Sequence, residues 1–319
     1  MINPLISVIM PAYNASKYIG QAIESVLNQS YSKLELVIIN DGSQDNTADI
    51  IENYRLKDSR IVYLEQKNGK QGKARNNGIR HSEGEIIALH DADDLWDSDL
   101  LSKQLEIMNR EKVDFVYSNV RVLYEDKPAM EDGLFFDLSV GIAVGRYVGK
   151  EFFDLLVKSN RVVTQTAFFK KDIAEKAGLF EEEIEFQNCE DYDLWLKMAF
   201  NGCSFFGNIE ILGTYRKHAA GSISDIIRQL RPELAVINRL YQQQMISKGQ
   251  WVKTVTWLTR VMLLNLAMER KWQSIIKILS KKDPIAFIPK GPFFHFVVLC
   301  YEYFKFRVKK ILRKMVIAR

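Results

Sequence analysis

Glu85-Ile86-Ile87-Ala88-Leu89-His90-Asp91-Ala92-Asp93-Asp94 is an apolar run that ends in three carboxylates within four residues. Ile86–Leu89 has the near-continuous hydrophobic character of a strand buried on both faces. Packing does not explain its acidic end, because like charges this close repel and each costs free energy on leaving water. A divalent cation relieves the repulsion, and oxygen donors at a strand end suit Mg²⁺ or Mn²⁺. Such a cation is useful where a diphosphate has to be held and then released. The competing reading is a polar turn, with Asp94 or Asp97 capping the next helix.

Working outward, the first hundred residues alternate strand and helix signals. Leu5–Met10 is an apolar run closed by Pro11. Ile19, Ala22, Ile23, Val26 and Leu27 then recur at helical spacing after a candidate cap at Ser16. Leu34–Ile39 ends at Asn40-Asp41-Gly42-Ser43, and a helix comes next with Thr47 as its expected cap. Ile61–Leu64 is a further strand. This rhythm predicts an α/β domain with a parallel sheet covered on both faces, whose ligands bind beyond the carboxyl ends of the strands. Three polar clusters fall there: Ala12-Tyr13-Asn14, Asp41-Gly42-Ser43 and Asp91-Ala92-Asp93. Gly69-Lys70-Gln71-Gly72-Lys73-Ala74 has neither dinucleotide-fingerprint nor P-loop spacing, which argues against NAD-linked chemistry and ATP hydrolysis. The middle of the chain reads as mixed α+β, with strands at Phe115–Val122, Thr164–Phe169 and Ile209–Tyr215 and a helix from Glu190-Asp191. Asp126–Arg146 lacks periodicity and reads as a mobile loop.

At 319 residues, 47% hydrophobic and 26% charged, the chain has material for a large core. Cys189, Cys203 and Cys300 show no paired spacing, so a reducing compartment is expected, and the N-terminus carries no secretory signal. The net charge of +4 conceals a division. Residues 1–224 hold 25 Lys+Arg against 35 Asp+Glu, a balance of −10, whereas residues 225–319 hold 19 against 5, a balance of +14. That asymmetry implies two regions with different partners.

Five stretches in register make a resemblance plain: Ser7-Val8-Ile9-Met10-Pro11-Ala12-Tyr13-Asn14, Ile39-Asn40-Asp41-Gly42-Ser43, Ala74-Arg75-Asn76-Asn77-Gly78-Ile79, Asp91-Ala92-Asp93-Asp94 and Glu190-Asp191-Tyr192-Asp193-Leu194-Trp195. Over about residues 5–224 the chain resembles a family 2 glycosyltransferase of the GT-A fold. The resemblance implies a GT-A domain at 1–224 with a mixed central sheet, residues 1–110 forming the nucleotide-binding half and 111–224 the acceptor half. Residues 225–319 would form a helical, basic extension. It further implies that Pro11, Ala12 and Tyr13 line the base pocket and that Asp41 accepts a hydrogen bond from the uracil imide of a UDP-sugar. Arg75 would offset nucleotide charge, Asp91 would contact ribose or metal, and Asp93 with His218 would ligate Mn²⁺ or Mg²⁺. Asp191 would be the general base of an inverting displacement. Without the resemblance, Asp41-Gly42 is also a turn sequence, and Asp191 is favoured at a helix start by the dipole. Arg75 reads as a surface cation beside Glu83 or Glu85, His218 as merely hydrogen-bonded, Glu190 as orienting Asp191 or solvated, and Tyr192 and Trp195 as core or acceptor platform. No Gln-x-x-Arg-Trp sequence occurs, so a single sugar per encounter is expected.

Residues 271–317 interleave aromatic clusters (Phe293, Phe294, Phe296, Tyr301, Tyr303, Phe304, Phe306) with Lys305, Arg307, Lys309, Lys310, Arg313 and Lys314. That composition suits an anionic bilayer surface better than nucleic acid, and Pro284–Phe304 is too interrupted to span a membrane. Trp251–Ala267 reads as a helix packed on the domain. Together with the resemblance, the tail points to a lipid-linked saccharide acceptor, as in O-antigen or capsule assembly at the cytoplasmic face of the bacterial inner membrane. The sequence does not specify the donor sugar, for which UDP-glucose and UDP-galactose lead, with UDP-N-acetylglucosamine close behind. The competing functions are a nucleotidyltransferase, which needs a basic Gly-rich loop that Pro11-Ala12-Tyr13-Asn14 does not supply, a glycosidase, which needs no cation, and a catalytically silent sugar-nucleotide-binding membrane scaffold.

Overall fold

The computed structural model describes residues 3–125, 141–218 and 226–268. The chain divides into two compact units, Met1–Val236 and Ile237–Arg319.

The first unit is built on a nine-stranded sheet. Its strands are β1 (Ile6–Ala12), β2 (Leu34–Asn40), β3 (Ile61–Glu65), β4 (Ile86–Leu89), β5 (Leu95–Trp96), β6 (Phe115–Tyr124), β7 (Gly145–Val148), β8 (Phe168–Lys170) and β9 (Ser204–Lys217). They run in the order β3-β2-β1-β4-β8-β6-β9-β5, with β7 also on β9. β3, β2, β1 and β4 are mutually parallel. β8 then enters antiparallel between β4 and β6, so the sheet is mixed rather than wholly parallel. The parallel half behaves as its composition requires. All seven residues of β2 and six of seven in β1 are buried, since helices cover both faces. Val8, Met10, Leu36 and Ile38 pack on one face with Ile19, Ile23 and Val26 of helix α1 (Ile19–Leu27) and Ile51 of helix α2 (Thr47–Arg55).

The expected caps at Ser16 and Thr47 turn out otherwise: α1 starts after Tyr18 with no side-chain cap bond. Asp45, not Thr47, receives the first free amide of α2, at 3.1 Å, and it also accepts from the Ser16 amide at 3.1 Å. The Thr47 hydroxyl instead accepts from the Ala15 amide at 2.8 Å, tying the loops after β1 and β2 together. Thr164–Phe169 is not a continuous strand: Thr164–Thr166 forms a 3₁₀ turn and only Phe168–Lys170 pairs. The Thr166 and Ala167 amides donate back to the Val163 and Thr164 carbonyls at 3.1 and 2.9 Å, and these local bonds compete with strand pairing. Of the expected loop Asp126–Arg146, residues 126–140 lie outside the described residues, and Gly145-Arg146 begins β7.

Helix α3 (Lys70–His81) crosses the sheet despite Gly72 and Gly78 in its interior, each costing about 1 kcal/mol of helix propensity. Close packing requires both. A methyl at Gly78 would lie 2.6 Å from Ile39 Cδ1, and one at Gly72 would lie 2.3 Å from the Glu181 carbonyl oxygen. Helices α4 (Leu100–Glu111), α5 (Lys150–Leu156), α6 (Lys171–Lys176) and α7 (Glu190–Phe200) complete the cover. Trp195 of α7 is fully buried among Phe115, Phe169 and Phe180, and the Tyr192 hydroxyl donates to the Leu156 carbonyl at 2.6 Å. Both are core residues.

Helix α8 (Ile226–Gln242) spans the division between the units. In the second unit Tyr241 stacks on Trp251 of helix α9 (Lys248–Met268) at 4.9 Å, and the Trp251 indole donates to Asn238 at 2.8 Å. Among the described residues no helix is long and apolar enough to cross a membrane. The basic aromatic stretch 284–319 lies outside the described residues.

Gly72→Ala is expected to destabilise the protein by about 1–3 kcal/mol, because the obstacle is backbone and the 181–187 segment has to move. Urea unfolding measures it; a midpoint equal to wild type would show that this segment yields freely.

Candidate active site

The polar clusters of the sequence gather at the carboxyl ends of β1, β2 and β4, and elements far apart in the chain hold each one. After β1, Ala12 is buried, Tyr13 is half exposed, and Asn14 adopts a left-handed φ of 49°. The Asn14 side-chain oxygen accepts from the Gln44 backbone amide at 2.8 Å, and the Asn14 backbone amide donates to the Ser43 hydroxyl at 3.0 Å. The rim at Pro11-Ala12-Tyr13 is thereby stapled to the turn after β2. Gly42 in that turn has φ 74°, a conformation side chains resist.

Asp41 has a structural task that the sequence did not announce. It is 4% exposed, and its Oδ1 accepts from Gln66 Nε2 and the Gly69 amide, both at 2.7 Å, while Oδ2 accepts from the Lys70 amide at 2.9 Å. Those amides are unsatisfied donors at the start of α3, so Asp41 caps a helix 29 residues away. Oδ2, with one donor, keeps capacity to accept another.

The stretch Arg75-Asn76-Asn77-Gly78 ties α3 to its surroundings. Asn76 exchanges two 2.9 Å hydrogen bonds with the backbone of Phe180, Asn77 donates to Gln66 at 2.9 Å, and Gly78 meets the sheet. Arg75 is not a surface cation beside Glu83 or Glu85. It is 3% exposed, with one guanidinium nitrogen on Asp91 Oδ1 at 2.9 Å and another on Glu190 Oε1 at 2.8 Å. Burial works against its charge, but Asp91 and Glu190 overcome that and hold it protonated. Glu190 is likewise buried rather than solvated. Its carboxyl is pushed up by burial, with Arg75 pulling the other way.

At the end of β4, His90 is fully buried against Trp96, its ring nitrogens engaged by the Ser25 hydroxyl at 3.1 Å and the Asp91 carbonyl at 2.7 Å. Burial lowers its pKa to about 4, so it is neutral and anchors the loop without adding charge. Asp94 is 1% exposed and accepts from the Arg216 amide at 2.8 Å; burial first, then Asp93 and Asp91, raise its pKa well above the usual carboxylate range. Asp94 therefore pins the loop to the end of β9 instead of capping a helix. Asp93 is partly exposed, with its Oδ2 3.0 Å from His218 Nε2. Burial and then Asp91 raise its pKa, and His218 acts against them. His218 packs on Tyr18, whose hydroxyl donates to Glu125 at 2.7 Å; Arg216 lies over the same ring and donates to the Asp93 carbonyl at 2.9 Å. The donor set Asp93 and His218 fits Mn²⁺ or Mg²⁺. Among the described residues no three His, Cys, Asp or Glu side chains form a ligating group, so phosphate oxygens and water would fill the remaining positions, as hard cations at nucleotide sites accept.

Asp191 is the second residue of α7, next to Glu190. Its Oδ1 accepts from the Tyr192 amide at 2.7 Å and its Oδ2 from the Thr164 hydroxyl. Glu233 of α8 lies in its field: burial first, and Asp191 second, push the Glu233 carboxyl up to about 7. Thr164 and Glu233 carry no sequence signal, one lying in an apolar run and the other isolated in a basic region. The structure thus joins Asp91, Arg75 and Glu190-Asp191 in one chain of contacts and pairs Asp93 with His218. Asp41 stands apart, at the start of α3. Near it, Gly69, Lys70, Gly72 and Lys73 face Glu181–Gln187 and Glu190 across a cavity of about 190 Å³.

A mixed sheet of this strand order, with its polar loops at the carboxyl ends of β1, β2 and β4, has the architecture of the GT-A type. The model of the family Glycosyl transferase family 2 matches residues 7–176, and the chain belongs to that family. It is 32% identical over 235 residues to the E. coli UDP-Glc:alpha-D-GlcNAc-diphosphoundecaprenol beta-1,3-glucosyltransferase WfaP, covering 70% of this chain and 84% of that one. Among solved structures, residues 1–349 of S. aureus TarS in complex with UDP-GlcNAc superpose with a TM-score of 0.61 at 17% identity, over 86% of this chain and 80% of that one. The mannosyltransferase PcManGT of Pyrobaculum calidifontis, in complex with GDP-Man and Mn²⁺, gives 0.58 at 20% identity over 76% and 65%. These likenesses establish the fold, and the protein is a glycosyltransferase.

The buried charges have two measurable consequences. Arg75→Ala leaves Asp91 and Glu190 facing each other and should cost about 3–5 kcal/mol in denaturant unfolding, with Arg75→Lys intermediate because a point charge cannot serve both; a loss below about 1 kcal/mol would contradict a structural bridge. Glu233 binds its proton more tightly folded than unfolded, so its contribution is full below the ordinary value of 4.5 and lost as pH rises through about 7. Glu233→Gln mimics the protonated form. Its melting temperature relative to wild type should climb across that window, and a pH-independent difference would contradict the raised value.

Proposed function

We propose that this glycosyltransferase moves one hexose from a UDP-sugar, UDP-glucose or UDP-galactose, to a hydroxyl of a lipid-linked saccharide such as a polyprenyl-diphosphate-linked N-acetylhexosamine. Inversion gives a β-glycosidic bond, in the assembly of O-antigen or capsule. The observation that carries the reading is the linkage of Asp91 through Arg75 to Glu190, which couples a carboxylate–histidine pair fit for a cation to a carboxylate fit to be a base. The name of the E. coli relative supports a UDP-glucose donor and a diphosphoundecaprenol acceptor. The balance of +14 over residues 225–319 supports docking of the protein, as a peripheral enzyme, on the anionic cytoplasmic face of the inner membrane, where that acceptor is presented.

Asp191 takes the proton of the acceptor hydroxyl as its oxygen attacks the anomeric carbon. The carbon–oxygen bond to the diphosphate breaks on the opposite face, and the electron pair stays with UDP. Pro11, Ala12 and Tyr13 flank the base, and the free capacity of Asp41 Oδ2 receives the uracil imide. Asp93 and His218 would hold Mn²⁺ or Mg²⁺, which would supply positive charge to the departing diphosphate.

UDP release from UDP-glucose, in the presence of Mn²⁺ and membranes bearing the acceptor, should vanish with EDTA and in Asp93→Ala. It should fall roughly 10²–10⁴-fold in Asp191→Asn. Turnover that persists in EDTA would refute the cation, and an active Asp191→Asn would refute the base. Release from another nucleotide sugar in preference would refute the donor.

A further inference from the structure

A general base has to be aimed as well as present. A carboxylate on the first turn of a helix has three staggered side-chain rotamers to choose from, and most of them waste it. Asp191 is reached by one side-chain donor among the described hydrogen bonds: the hydroxyl of Thr164, 27 residues earlier, donates to Oδ2 while the Tyr192 amide holds Oδ1. The helix does not need this bond. The turn does not need it either: the Thr166 amide donates to the Val163 carbonyl at 3.1 Å and the Ala167 amide to the Thr164 carbonyl at 2.9 Å, both backbone to backbone.

The mount beneath Thr164 is tied to the donor side of the site. Trp96, just past the carboxylate loop, donates from its indole nitrogen to the Gln165 carbonyl at 2.7 Å, and the Leu89 amide of β4 donates to the Ala167 carbonyl at 2.9 Å. From below, Gln104 donates to the Thr166 carbonyl at 2.9 Å, and the Thr166 hydroxyl donates to the Ser118 carbonyl at 2.8 Å. Trp96, Gln104, Ser118, Gln165 and Thr166 are all buried. The Thr164 hydroxyl is thus a short arm from the strand that carries Asp91 and Asp93 to the helix that carries Asp191.

We propose that Thr164 is the positioning residue of the base: its hydroxyl locks the Asp191 carboxylate in one rotamer, at a fixed distance from the carboxylate loop. Each oxygen keeps a lone pair for the acceptor hydroxyl. The inference rests on Asp191 being the base, and on nothing about the identity of the sugar.

Thr164→Val removes the hydroxyl at constant shape, and Thr164→Ser keeps it. Transfer is measured with the full-length protein, UDP-glucose and acceptor membranes, and UDP affinity by calorimetry. Thr164→Val should lower kcat roughly ten- to hundred-fold, the size of a misplaced reacting group or a lost charge-assisted hydrogen bond, with UDP affinity and donor KM unchanged. Thr164→Ser should recover most of the rate. In an Asp191→Asn background Thr164→Val should cost nothing further, because the two act as a unit. Wild-type kcat in Thr164→Val overturns the proposal. So does a loss of UDP affinity in step with kcat, or an undiminished penalty in the double variant, since each reports a merely structural hydroxyl. An active Asp191→Asn would instead sink the base reading, so the two ideas fail separately.

Discussion

A guanidinium sealed between two carboxylates organises this molecule. Arg75 bonds Asp91 at the end of β4 and Glu190 at the start of α7, elements joined by nearly a hundred residues of intervening chain. A buried pair of this kind contributes little net stability, because desolvation offsets the attraction. Its value is geometric. The fork of the guanidinium sets two directions at once, so the loop that carries Asp91 and the helix that carries Asp191 cannot shift independently. Helix α3 has to press against its neighbours for Arg75 to reach both, which is why Gly72 and Gly78 are tolerated in it and why Asn76 is spent on the backbone of Phe180.

The same region carries more negative charge than its internal partners balance. Asp93 and Asp94 both have raised pKa values, first from burial and then from neighbouring carboxylates. Asp94 resolves its share by bonding the Arg216 amide, and Glu125, held near 2 by Lys17 and Tyr18, draws Arg216 and the Tyr18 ring against the loop. Asp93 is left partly exposed with a histidine for company. A loop that is over-constrained behind and under-compensated in front is suited to take up a cation with a ligand and to release it again.

The legible part of the sequence was the part governed by strong local chemistry. Leu34–Asn40 and Ile86–Leu89 are strands because nothing but a doubly covered sheet buries such runs, and the carboxylates after β4 announce themselves by mutual repulsion. What could not be read depends on contacts between distant segments. Arg75 carries no mark of burial, since a guanidinium is exposed by default. Asp41 reads as a turn residue, and its capping of α3 exists only once β2 and the 66–70 segment meet. Thr164 sits in a β-branched, apolar run whose propensity is for strand, and backbone bonds from Thr166 and Ala167 close it into a turn instead.

Unpaired polar atoms show where the fold gives up stability. Arg75 Nε, Glu190 Oε2, Asp94 Oδ2 and both ends of the Gln165 amide are buried without a partner among the described residues, and all belong to the frame around Asp91 and Asp191. In a region chosen for stability alone, apolar side chains of the same volume would do better. The buried polar residues of the parallel strands, Ser7, Glu35 and Asn40, are hydrogen-bonded, so the unpaired atoms beside Asp191 and the carboxylate loop argue that this frame is shaped by something other than stability.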